Sequence, residues 1–365
     1  MHKAKLVVTL PNDVLYDVRV SSGLLDTFGE QLRSYAATAS SAQILLIVDQ
    51  HVAPYYKMRV KNSLTAVGYQ VSDIEVPGGE DAKTTEVLCE VWRAMAQLKL
   101  GRDCVVVALG GGAVCDLSGF VAGTYMRGVA CVYIPTTVLS MVDASVGGKT
   151  AVNLPEGKNL VGVFSQPAYV CSDLSTLATL PQVEWASGYA EVAKAAILES
   201  DEFFFWMLDH ASALQNHDLE TVCEAVVRSV SFKAGVVARD EHEMAGVREC
   251  LNYGHTYGHA VEKLTGYGKY SHGVAVAEGM RFAALLSCRL GLMSADAAQA
   301  QNELLDALDL PALSWRGQPH EVLAVMQGDK KTRGGQVRFV LLHDVGAWEV
   351  IPVAEADILA ALESF

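Results

Sequence analysis

The chain has 365 residues, 51% hydrophobic and 19% charged, with a net charge of −14 at pH 7. That length supports a real core and favours two domains, with one domain as the alternative. The acidity argues against nucleic acid and anionic membranes as partners, because their binding rests on phosphate neutralisation.

The eight cysteines form no Cys-x-x-Cys pair, and several lie in apolar runs such as Cys104-Val105-Val106-Val107. They read as reduced, buried small hydrophobes of a cytoplasmic protein. The apolar opening is broken by Pro11 before a signal-like core develops, so no leader is expected. No uncharged run reaches the roughly 18 residues of a membrane helix.

Residues 5–10 and 14–20 are β-rich and separated by Pro11-Asn12-Asp13, which predicts a hairpin. Residues 44–48 form a buried-type strand ending at Asp49. That carboxylate reads either as a ribose-hydroxyl acceptor or as the N-cap of a following helix, and both readings stay open. A strand over 69–76 leads to the loop Gly78-Gly79-Glu80-Asp81-Ala82-Lys83. Val87, Leu88, Val91 and Met95 then mark the buried face of a helix.

Residues 104–109 are a continuous apolar run, as in a central parallel strand. The run enters Gly110-Gly111-Gly112-Ala113-Val114-Cys115-Asp116 and a helix. Strand, glycine turn and helix make an anion cradle, because backbone N–H groups at the helix start are exposed to a ligand. The turn is not Gly-x-Gly-x-x-Gly, and a tight turn without ligand is the other reading.

A strand over 129–134 follows, ending in Pro135-Thr136-Thr137. Gly148-Lys149-Thr150 invites a P-loop reading, but Asp143 stands where that motif requires glycine, so a Walker site is rejected. Lys149 and Lys158, both beside glycine, read as solvated side chains or as a loop that holds an anion.

Near 173–181 strand-like runs give way to long helical patterns, which sets the expected domain boundary after residue 178. Residues 184–209 are predicted as one helix with Phe203, Phe204, Phe205 and Trp206 in the core. Helices are also predicted over 219–239, 274–290 and 295–308. A charged turn falls at 329–335, and a closing hairpin over 337–342 and 348–353.

The richest stretch is Leu251-Asn252-Tyr253-Gly254-His255-Thr256-Tyr257-Gly258-His259-Ala260-Val261-Glu262. Two histidines four apart share a helical face. His272 follows, and Glu191 and Lys194 lie three apart upstream. Histidines with one carboxylate are the donor set of a catalytic zinc, which keeps a coordination position open. A histidine pair alone is more often structural; the combination carries the metal reading.

Together with Pro135-Thr136-Thr137, residues 142–153, Gly157-Lys158-Asn159-Leu160 and Ala190-Glu191-Val192-Ala193-Lys194, these motifs resemble the 3-dehydroquinate synthase family of sugar phosphate cyclases, over about 49–346. The resemblance implies an α/β N-terminal dinucleotide-binding domain (1–178) that binds NAD. It implies a mainly α-helical metal- and substrate-binding domain (179–365), in a homodimer. Glu191, His255 and His272 would hold Zn2+, with Co2+ as the other candidate. The substrate would be 3-deoxy-D-arabino-heptulosonate 7-phosphate, a small-molecule sugar phosphate, and the products 3-dehydroquinate and phosphate. The route would be transient oxidation by NAD, phosphate elimination, reduction, ring opening and aldol closure.

By the same resemblance, NAD contacts fall to Asp49, Gly78, Gly79, Glu80, Asp81, Ala82, Lys83, Gly111, Gly112, Ala113, Val114, Cys115, Asp116, Thr136, Thr137, Lys149, Lys158, Thr176, Leu177, Ala178 and Thr179. Substrate contacts fall to Arg127, Asp143, Lys149, Asn159, Lys194, Lys233, Arg248, Asn252 and one of Lys330 and Lys331. His259 resembles a proton-transfer residue beside the leaving phosphate, and Glu243 the proton acceptor. The chain carries one extra residue between Asp240 and Arg248 relative to the family pattern. Val274 follows the third-ligand His-Gly, and Cys115 stands where glycine is common. The alternatives are a sister cyclase, a metal-dependent alcohol dehydrogenase and a non-catalytic nucleotide-binding scaffold.

Overall fold

The computed structural model describes residues 3–10, 15–266, 268–328 and 336–365. The turn at 11–13 and the charged turn with Lys330 and Lys331 lie outside the described residues. The chain divides into two compact units, Met1–Pro181 with Lys233–His242, and Gln182–Phe232 with Glu243–Phe365.

In the first unit, strands β1 (Ala4–Thr9) and β2 (Leu15–Ser21) pair antiparallel as a hairpin. Two short helices, α1 (Phe28–Arg33) and α2 (Ala36–Ala39), lead to β3 (Gln43–Asp49), α3 (Ala53–Ala66), β4 (Gln70–Val76) and α4 (Thr85–Gln97). Then come β5 (Val105–Gly110), α5 (Gly112–Thr124), β6 (Ala130–Pro135), β7 (Lys149–Leu154), β8 (Gly157–Phe164) and β9 (Tyr169–Asp173).

Among the described residues seven of these nine strands make one sheet in the order β1-β2-β9-β6-β5-β3-β4, parallel except for β1. β5 is buried along its whole length, as its unbroken apolar run requires of a strand covered on both faces. Ile44, Leu46, Val48, Val105, Val107 and Leu109 pack with Leu25, Phe28, Val60 and Leu64 in one core. The chain leaves β3 outward to β4 and returns as β5 on the other side. The crevice at the carboxyl ends of β3 and β5 is therefore a topological switch point, where open α/β sheets take their ligands.

The segment with Lys149 and Lys158 differs from the expected loop. It is a two-stranded antiparallel hairpin of β7 and β8. Alternation of small and β-branched residues in Ala151-Val152 and Val161-Gly162-Val163 overrides the glycine signal, and the turn between them is short.

The second unit is mainly helical: α6 (Gln182–Glu199), α7 (Asp201–Gln215), the first part of α8 (Leu219–Arg239), α9 (His255–Thr265), α10 (His272–Arg289), α11 (Ala295–Ala307), α12 (Pro319–Gln327) and α13 (Glu355–Ser364). Strands β10 (Arg338–Asp344) and β11 (Ala347–Pro352) close it as an antiparallel hairpin.

The single helix expected over 184–209 is two. Ser200 is extended and its hydroxyl accepts from Phe203 N, an N-cap that starts α7 afresh. Phe203 and Phe204 are buried at 1%, but Phe205 is 56% exposed and Trp206 half-buried. Four consecutive helical residues spread around the axis and cannot share one buried face.

No described helix is long and apolar enough to cross a membrane. The cysteines are free; Cys89 and Cys288 are half-buried and the other six are buried.

Candidate active site

Helix α6 is apolar around almost its whole circumference and is buried from Ser187 to Leu198. It carries Glu191 and Lys194 inward. Glu191 is 4% and Lys194 3% exposed. The Lys194 ammonium contacts Glu191 Oε2. Glu191 Oε1 is buried and has no hydrogen-bond partner among the described residues.

Two imidazoles face that oxygen. His255 Nε2 lies 3.6 Å and His272 Nε2 3.9 Å from Oε1. The three side chains offer one ligand atom each within 4.8 Å of one another. Each histidine gives its other nitrogen to an acceptor. Nδ1 of His255 donates to the Tyr253 carbonyl at 3.0 Å, and Nδ1 of His272 to Glu262 Oε2 at 3.4 Å. Donation from Nδ1 fixes the tautomer and leaves the Nε2 lone pair for a cation.

The helices converge because glycines let them. Gly254 has φ 78° and caps α9, and a Cβ on Gly279 of α10 would stand 1.8 Å from its carbonyl oxygen. A Cβ on Gly273 would stand 2.2 Å from the carbonyl oxygen of Ser187 on α6. Near-contact of backbones thus ties α10 to both α9 and α6. His255 and His272 are each the first residue of a helix. Both helix ends bring partial positive charge to the site, so the Glu191 charge is what favours a cation there.

The donor set fits a divalent metal. It has a buried carboxylate oxygen lacking a hydrogen-bond partner among the described residues, and two imidazoles held in the ligating tautomer. Ligands about 2.0–2.1 Å from tetrahedral zinc sit about 3.4 Å apart, near the spacings seen. His259, one turn after His255, has its ring centroid 5.6 Å from that of His255 and stands outside the ligand group.

Nearby, Asn252 Nδ2 donates to Glu243 Oε1 at 3.4 Å, and Arg248 is 2% exposed. Between Asp240 and Arg248 the backbone takes positive φ at Glu243, 58°, and at Gly246, 81°.

In the first unit, Asp49, the glycine turn and the 78–83 loop meet at the switch-point crevice. A Cβ on Gly110 would stand 3.0 Å from Asp49 Cβ, and one on Gly78 3.0 Å from Asp49 Oδ1. Asp49 does not cap α3, whose N-cap is Val52 without a side-chain bond. Its Oδ1 instead accepts from His51 N at 2.8 Å. Helix α5 starts at an N-cap, Gly111, with no side-chain cap. Glycines that no side chain fills, set beside an uncapped helix end, fit a dinucleotide phosphate.

Lys83, 3% exposed, donates to Asp116 Oδ2 at 2.5 Å and to Asn159 Oδ1. Burial pushes the Asp116 carboxyl up to about 6, while the Lys83 charge pulls it down. Thr136 N donates to Gly110 O, placing Thr136 and Thr137 beside the turn. Thr176 and Thr179 are fixed by the Tyr56 hydroxyl, at 3.1 Å to Thr176 O and 3.0 Å to Thr179 Oγ1. Lys233 Nζ donates to Asp143 O at 2.7 Å and contacts its carboxylate. Arg127 and Lys149 are exposed, and Lys158 is half-buried.

No motif in the sequence singles out Tyr253 or Glu262, which accept the Nδ1 hydrogen bonds of the two histidines. Glu262 follows His255 by seven residues, two helical turns, so its shared face was the available signal.

The comparisons agree with this architecture. The family described as 3-dehydroquinate synthase N-terminal matches residues 73–187, and that described as 3-dehydroquinate synthase C-terminal matches 188–332. A 3-dehydroquinate synthase of Desulforamulus reducens is 43% identical, covering 95% of this chain and 96% of the relative. A structure of 2-deoxy-scyllo-inosose synthase complexed with carbaglucose-6-phosphate, NAD+ and Co2+ has a TM-score of 0.86 at 25% identity, covering 99% of each chain. A 2-epi-5-epi-valiolone synthase from Streptomyces hygroscopicus with NAD+ and Zn2+ bound has a TM-score of 0.86 at 27% identity, covering 98% of each. The fold is that of the sugar phosphate cyclases. Within them, the chain belongs to the 3-dehydroquinate synthase family.

Proposed function

We propose that the chain converts 3-deoxy-D-arabino-heptulosonate 7-phosphate to 3-dehydroquinate and phosphate, as a phosphate-eliminating cyclase that uses NAD and a divalent metal. The observation that carries this reading is the meeting of Glu191, His255 and His272 around a buried oxygen that accepts no hydrogen bond among the described residues.

Glu191, His255 and His272 would hold zinc or cobalt, which supplies a Lewis acid for substrate oxygens. Asp49, the 78–83 loop and the α5 end would hold NAD, which supplies reversible hydride acceptance and ends unchanged. Lys194, buried beside Glu191, offers its side-chain nitrogen to the anionic substrate. Arg248 offers a rigid fork for a carboxylate, and Asn252 a neutral donor beside it. Lys233, Lys149, Asn159, Asp143 and Arg127 take the remaining substrate contacts. His259, beside the ligand pair but outside it, moves the proton as phosphate leaves. Glu243, held by Asn252, is the proton acceptor. A substrate with a carboxylate and a phosphate calls for such cations despite the acidic whole.

The dehydroquinate reading stands ahead of the sister cyclases because identity is 43% to a dehydroquinate synthase and 25–27% to the two other cyclases. We also read the protein as a cytoplasmic homodimer without nucleic-acid or membrane partners. The exposed Leu160, Val161 and Phe164 on β8 support self-association, since an apolar open strand is otherwise a liability.

The test is phosphate release from the heptulosonate phosphate with zinc and catalytic NAD. Phosphate without net NADH supports the reading. Accumulating NADH indicates a dehydrogenase, and no phosphate contradicts the proposal.

A further inference from the structure

We propose that Glu262 is a positioning residue for the metal ligand His272, acting through the ring nitrogen that faces away from the metal. The proposal rests on the metal reading above and deepens it.

The two histidines are not held alike. His255 has a side chain 14% exposed and a short bond to the Tyr253 carbonyl. That carbonyl sits in a rigid frame: Tyr253 is fully buried, its hydroxyl donates to Gln301 Oε1 at 2.6 Å, and Gln301 Nε2 donates to Met280 O at 3.0 Å. His272 has a side chain 34% exposed and opens its helix. Packing restrains its ring less, so its orientation depends more on the hydrogen bond at Nδ1.

The acceptor there is a carboxylate. Glu262 is 7% exposed, on the α9 face two turns beyond His255. The Gly254–Gly279 approach fixes the spacing of α9 and α10, and so the distance between the backbones that carry the carboxylate and the ring. One helix therefore supplies a ligand and also orients the ligand on its neighbour. A carboxylate on Nδ1 fixes the tautomer and makes Nε2 a stronger donor. It also adds negative charge where two helix starts supply positive charge.

The experiment measures zinc affinity by competition with a chromophoric chelator, using metal-stripped full-length protein. Glu262→Ala is expected to weaken zinc binding by about 10–100-fold. Glu262→Gln keeps an oxygen that accepts from Nδ1 and loses less. In a His272→Ala background, Glu262→Ala changes the weakened affinity by less than about twofold, because the effect passes through the missing ring. The cobalt-substituted Glu262→Ala protein shows an altered visible spectrum, whereas Glu262→Gln stays close to the parent. Equal losses in both backgrounds, or parental affinity in Glu262→Ala, overturn the proposal while leaving the metal site intact. A parent protein that binds no zinc refutes the metal reading itself.

Discussion

Lys194 stands one helical turn after Glu191, and its ammonium contacts Oε2 while Oε1 is left toward His255 and His272. One carboxylate thus serves a fixed cation with one oxygen and offers the other to a metal. Removing Lys194 from a buried pair leaves an uncompensated charge, at a cost of about 3–5 kcal/mol. Lys194→Ala is expected to retain zinc, to lose turnover and to be less stable than the parent when metal-free. Zinc should then raise its melting temperature more than that of the parent. Differential scanning calorimetry with and without zinc checks this; equal rises in both proteins count against the pairing.

The backbone approach at Gly273 makes a second expectation. A methyl there would press on the Ser187 carbonyl at 2.2 Å, and neither helix backbone can yield cheaply. Gly273→Ala should cost about 1–3 kcal/mol of stability and move His272 relative to Glu191. Zinc affinity should fall well beyond the change in a distant variant of equal stability. Affinity unchanged at reduced stability would show that the ligand geometry tolerates the shift.

Asp116 gives a pH dependence. Its folded carboxyl titrates at about 6, against 3.8 for the ordinary value, because burial outweighs the nearby Lys83. Between these values the folded state holds a proton that the unfolded state has released, so stability falls as pH rises through the window. Below about pH 4 the cost is absent, and above about pH 6 it is complete, at most about 3 kcal/mol. Asp116→Asn removes it. Urea unfolding at a series of pH values should show the variant gaining on the parent between pH 4 and 6. A difference that stays constant across that range contradicts the assignment.

The cysteines offer a quick check on burial. Burial pushes the Cys131 thiol up to about 12 and Cys104 to about 11. Since the thiolate is the reactive form, both should resist a thiol reagent in native protein. Half-buried Cys89 should react first. Mass spectrometry after brief labelling locates the modified residue; early labelling of Cys131 would contradict the packing.

How much of this was legible in the chain depends on the range of the signal. The apolar run at 104–109 and the glycines after it announced a buried strand entering a helix, and β5 and α5 are that. The histidine spacing at 255 and 259 announced a shared helical face, yet spacing alone did not choose between them. Glu191 lies 64 residues from His255; the donor types in combination suggest the set, and the resemblance assigns it. The backbone contacts that bring α6, α9 and α10 together are tertiary, and a lone glycine in a helix does not reveal what it touches. Ser200 is a local cap signal masked by the long apolar stretch around it. The β7–β8 hairpin is hidden in the sequence because glycines beside two lysines carry a loop signal.

Glu191, His255 and His272 together hold one divalent cation: that is the central claim. Calorimetric titration of zinc into metal-stripped parent protein and into His255→Ala tests it most directly. One zinc per chain in the parent and loss of that binding in the variant is the result expected. Equal stoichiometry and affinity in the two proteins would contradict it.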